Sequence, residues 1–102
     1  MKTSLVTKLE SLSDRHEEVA ALLADAETAS DPNKFRALSQ EYAQLDDVVK
    51  VYDGYRRAKD DLAEAQLMLQ DSDPDVREMA EEEIAAAGSH MSAAEANLQV
   101  LM

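Results

Sequence analysis

A chain of 102 residues, 45% apolar and 31% charged, has room for one modest core and is neither a set of membrane spans nor a disordered tail. Its formal charge of -12 is uneven: residues 1–59 hold nine basic and 11 acidic side chains, whereas residues 60–102 hold one basic side chain, Arg77, against 11 acidic ones. Nucleic-acid affinity comes mostly from Lys and Arg displacing condensed counterions, so direct nucleic-acid binding is not expected and a basic protein is the fitting partner.

The absence of Cys excludes disulfides, thiolate metal sites and a cysteine nucleophile, and agrees with a cytoplasmic protein. Lys2, Lys8 and Glu10 interrupt the apolar residues of the amino terminus, which therefore lacks a signal-peptide core. No apolar run approaches the roughly 20 residues that a bilayer requires, so no membrane association is expected. With two Gly, two Pro and four aromatic residues, the composition favours helix throughout.

The first predicted helix covers about residues 4–27. Leu5, Leu9, Leu12, His16, Val19, Leu23 and Ala26 recur at steps of four and three, the spacing of a seam that faces a partner helix. His16 on that seam has two readings, a His packed at the edge of the interface or a pH-sensitive or ligand-binding group. Ser30-Asp31-Pro32 then supplies a side-chain acceptor at the N-cap and Pro at the first helical position.

A second helix is predicted over 32–70, with a seam from Phe35, Leu38, Tyr42, Leu45, Val49 and Tyr52 that shifts phase through Tyr55 and Ala58 to Leu62, Ala65 and Leu69. At about 1.5 Å per residue it would run near 60 Å and needs partners along its length. Gly54 inside it costs about 1 kcal/mol relative to Ala, which suggests close approach of another helix or a slight bend. Ser72-Asp73-Pro74 repeats the capping signal and opens a third helix over 74–101, with Val76, Ala80, Ile84, Ala87, Met91, Ala94, Leu98 and Leu101 on its seam. The connections are short, so the fold class expected is all-α: an antiparallel three-helix, coiled-coil-like bundle with a long central helix.

Little in the chain could do chemistry. His16 and His90 are the sole imidazoles and lie far apart, and Ser13 and Ala87 stand where a Glu-x-x-His metal motif would need acids. The acidic runs Glu17-Glu18, Asp46-Asp47, Asp60-Asp61 and Glu81-Glu82-Glu83 place neighbours about 100° apart on a helix, which reads as solvated faces rather than acid–base pairs. Isolated Gly54 and Gly88 make no phosphate loop. No catalytic residue, metal or cofactor is therefore expected. Arg56-Arg57 with Lys59 is the one compact basic cluster, read either as a solvated face or as a partner contact.

Several stretches resemble bacterial class I peptide chain release factors: Lys8-Leu9-Glu10, Arg15-His16-Glu17-Glu18-Val19, Phe35-Arg36-Ala37-Leu38-Ser39, Glu41-Tyr42-Ala43-Gln44-Leu45, Arg77-Glu78-Met79-Ala80 and Leu98-Gln99-Val100-Leu101. They follow the family's order and spacing over essentially the whole chain, and look closer to the type that reads UAA and UAG than to its UAA/UGA sister. In that family a Gly-Gly-Gln tripeptide enters the peptidyl transferase centre and a Pro-x-Thr tripeptide helps read the stop codon. Neither is present here, since Pro32 is followed by Asn33-Lys34 and Pro74 by Asp75-Val76.

The resemblance therefore implies a non-catalytic N-terminal helical domain, residues 1–102, without the catalytic and codon-reading domains. It also implies a role in translation termination and a ribosomal partner near the stalk base of the large subunit. Gly88-Ser89-His90-Met91 departs from the charged helical residues usual in the family. The same four letters are left by tag cleavage, yet Ala87, Met91 and Ala94 stay on the seam without a gap, which favours native sequence. Periodicity alone equally suits a generic coiled-coil scaffold with no ribosomal role. Leu98, Val100 and Leu101, if exposed at the carboxyl end, would favour self-association.

Overall fold

Capping chemistry divides the chain. The Asp31 carboxylate accepts the amides of Asn33 and Lys34, each at 3.2 Å, and the Asp31 carbonyl accepts the Phe35 amide at 2.9 Å. Pro32 follows as the first helical residue, where its missing N–H leaves nothing unsatisfied. Asp73 acts likewise, with its carboxylate 2.9 Å from the Asp75 amide and its carbonyl 3.1 Å from that of Arg77. The computed structural model, which describes residues 1–102, accordingly contains α1 (Thr3–Leu23), α2 (Ala26–Ala29), α3 (Pro32–Met68) and α4 (Pro74–Leu101). It is 88% helical, without strands, and forms an all-α bundle in which the long central helix packs against others.

One boundary differs from the periodicity. The first helix stops at Leu23 instead of running to 27, because Asp25 adopts an extended ψ of 134° and caps a new turn through its carboxylate, 2.9 Å from the Glu27 amide. Its own amide closes α1 on the Leu22 carbonyl at 3.1 Å. Thr28, not the expected Ala26, is the buried residue of that turn. The four helices observed are thus the three expected ones with this short α2 between the first two.

The chain forms two compact units, residues 1–50 and 51–102, and α3 contributes to both. In the first unit, α1 and the opening half of α3 run antiparallel after the reversal at residues 24–31. Arg15 meets Glu41 and His16 meets Asp46 across them. Leu9, Val19, Leu38, Val48 and Val49 are its buried aliphatic residues. In the second unit, residues 54, 58, 61, 64 and 68 of α3 share grooves with 97, 94, 90, 87 and 83 of α4, again antiparallel. Ala58, Ala65, Ala80 and Ala87 are all buried there, and side chains this small allow close helix contact.

The expected seams fray at their ends. Phe35 is 42% exposed, and Leu69 and Leu101 are also exposed, since each sits in the first or last turn of its helix region or just beyond it. Leu98 is fully buried, so it is not part of any exposed carboxyl-terminal patch, whereas Val100 is 85% exposed. Gly54 marks no close approach: a Cβ placed on it would meet nothing within 4 Å.

Candidate interaction surface

Arg56, Arg57 and Lys59 lie within one turn of α3, and at about 100° per residue Arg56 and Lys59 fall on one side whereas Arg57 points away from Lys59. Arg56 is half-buried. It is ion-paired with Asp53 one turn earlier, and its guanidinium lies 4.6 Å above the centre of the Tyr52 ring, a cation–π geometry. Tyr52 in turn stacks on Tyr55, with ring centres 6.3 Å apart. Arg57 and Lys59 are exposed. A shallow cleft brings Arg56 and Arg57 together with Asp53 and Asp60, so these two members of the basic cluster are balanced by carboxylates in the fold, with Lys59 outside the cleft.

The strongest polar assembly lies elsewhere, between α1 and α3. The Arg15 guanidinium makes two bonds to the Glu41 carboxylate, at 2.6 and 2.7 Å, and a further pair with Glu18 at 3.0 Å. The hydrogen bond from Arg15 holds the Glu41 carboxyl below its ordinary range. His16 stacks on Tyr42 with centres 4.5 Å apart and places Nε2 3.1 Å from Asp46, whose other oxygen lies 2.8 Å from Lys50. Hydrogen bonds from Lys50 and then His16 hold the Asp46 carboxyl low. His16 is a packed, bonded interface residue, and no three His, Asp or Glu side chains converge to hold a metal ion.

A groove runs along one side of the α3–α4 pair. Its upper part, about 490 Å³, is lined by Gly54, Ala58, Ala93 and Ala94 with Arg57 and Asn97 at its edges. Its lower part, about 500 Å³, has Met68, Ala86 and Ala87 beside the carboxylates of Asp61, Glu64 and Glu83. Asp61 and His90 belong to both parts, which makes the groove continuous. Sequence reasoning missed this feature. Asp61 and Glu64 at three-residue spacing were the available signal, but Glu83 joins them only through the antiparallel register.

The family model of the PCRF domain, the domain named for peptide chain release factors, matches residues 12–102. The chain belongs to this family. The match takes in the distal part of α1, all of α3 and all of α4, hence the polar assembly and the groove alike. As a PCRF domain the chain has its role in translation termination, in factors that act on the ribosome. No helix of the PCRF domain is long and apolar enough to cross a membrane.

Proposed function

We propose that residues 1–102 are the helical N-terminal domain of a class I release factor of the UAA/UAG-reading type, and that this domain helps the cytoplasmic factor engage the large ribosomal subunit near the stalk base. The PCRF match over residues 12–102 carries the reading. The similarities from Arg15-His16-Glu17-Glu18-Val19 to Leu98-Gln99-Val100-Leu101 support the UAA/UAG type. Its mechanism is shape and placement rather than bond breaking, because the chain has neither the Gly-Gly-Gln nor the Pro-x-Thr tripeptide. The acidic second half favours a basic protein over RNA as the immediate contact. Arg57 and Lys59, exposed on α3, and Arg56 beside them form a proposed secondary partner contact.

Deleting the domain from the full factor tests this directly. Association with stop-codon-programmed ribosomes is expected to slow or weaken, with little change in single-turnover peptide release at saturating factor. A collapse of release at saturation, with association intact, would overturn the proposal.

A further inference from the structure

We infer that the lower groove between α3 and α4 is a docking surface for a Lys- or Arg-bearing amphipathic segment of a partner protein. This rests in part on the ribosomal reading above and deepens it by assigning the face that makes contact. Asp61, Glu64 and Glu83 come from two helices and line one groove of about 500 Å³ together with Met68, Ala86, Ala87 and His90. None of the three carboxylates has an ion pair or hydrogen bond within the chain.

Charge complementarity selects the occupant. Arg77, the sole cation of residues 60–102, is occupied at the α3–α4 connection, where its guanidinium donates to the carbonyls of Asp71 and Ser72 at 2.9 and 3.2 Å. Arg57 lies in the upper groove, beyond Asp61, and does not line the stretch with Glu64 and Glu83. The lower stretch thus sets three carboxylates beside Met68, Ala86 and Ala87, with the His90 imidazole at its upper end and no Lys or Arg in its lining. A helix that lays Leu or Ala on the apolar residues and Lys or Arg beside the carboxylates satisfies both, the helix-in-groove mode of recognition. A phosphate backbone would be repelled by the same carboxylates.

Two probes separate the inference from the reading it deepens. The first is an amphipathic Leu/Lys helical peptide titrated into the isotopically labelled chain. Amide shifts are expected to centre on Ala86 and Ala87, and the D61N/E64Q/E83Q variant should bind about tenfold more weakly. A variant with the same charge change on the outer face of α4, E78Q/E81Q/E82Q, should lose less than half of that effect in logarithmic terms. Shifts spread evenly over the acidic surface, equal losses in both variants, or no binding would overturn the inference. The second probe is the purified large ribosomal subunit. If the peptide occupies the groove but the wild-type chain ignores the subunit, the ribosomal reading fails while the docking surface stands. If the chain binds the subunit and the groove variant binds it as well as the outer-face variant does, the assignment of this face fails. Retention of helical circular dichroism in both variants guards against misfolding as the cause of a loss.

Discussion

Ser13 is buried in α1 with a hydroxyl that finds no hydrogen-bond partner. Leaving such a group unsatisfied costs about 1–3 kcal/mol, and Ala is also the better helix former. Ser13→Ala should therefore raise unfolding free energy by about 1 kcal/mol in urea titration, and a loss of stability would show that the hydroxyl has a role in the fold. Glu41 and Asp46 make a different prediction. Both carboxyls are held below their ordinary values of 4.5 and 3.8 in the folded chain, by bonds from Arg15 and from Lys50 and His16. A depressed folded pKa adds stability above the unfolded value and loses it as pH falls through the folded one. Stability should therefore decline on acidification below the ordinary carboxylate range, and Glu41→Gln with Asp46→Asn should flatten that decline. An acid limb of unchanged slope would show that these two groups do not contribute to it. The residues concerned were visible in the sequence as charged positions, but their pairing was not, since Arg15 and Glu41 are brought together by the reversal at 24–31.

At the scale of the helices, the caps and the glycines act in opposite directions. Asp73 satisfies an amide that would otherwise be exposed at the start of α4, so Asp73→Ala should cost about 1 kcal/mol and fray the first turn. Amide exchange at Asp75 would report it, and unchanged protection there would refute it. Gly54 and Gly88 both lie inside helices and both face open space. Replacing either with Ala should stabilise by about 0.5–1 kcal/mol, because nothing opposes the gain in helix propensity. Thermal unfolding that moved downward on Gly54→Ala would indicate a partner helix requiring that gap. The seam spacing found the helices, and Asp31-Pro32 and Asp73-Pro74 located two of their starts. The break at Asp25 was missed because an Asp within a periodic stretch signals an end only when its backbone turns extended, as it does here with ψ at 134°.

For the molecule as a whole, the excess of negative charge matters most. With a net charge of -12, like-charge repulsion among solvent-facing carboxylates opposes folding and is screened by salt within a Debye length of about 10 Å at 0.1 M. The melting temperature should therefore rise as sodium chloride is raised from a few millimolar to roughly that level. A fall would mean that the Arg15–Glu41 and Asp46–Lys50 pairs, which salt weakens, outweigh the general repulsion. The same acidity should keep the PCRF domain from binding homopolymer RNA at moderate salt. Val100, largely exposed near the end of α4, leaves self-association as a proposal that light scattering can decide.

By itself the sequence determined the helical class, most of the seam residues, the capping chemistry at Asp31 and Asp73, the division of charge and the kinship with release factors. These are local or compositional properties, and each is written in residues a few positions apart. Only the tertiary structure decided that Arg15 pairs with Glu41, that His16 bonds to Asp46, and that Glu83 of α4 joins Asp61 and Glu64 of α3 in one groove. Helical periodicity fixes which way a side chain points from its own axis, but the register between antiparallel helices decides what it meets. That register depends on packing summed over residues far apart in the chain.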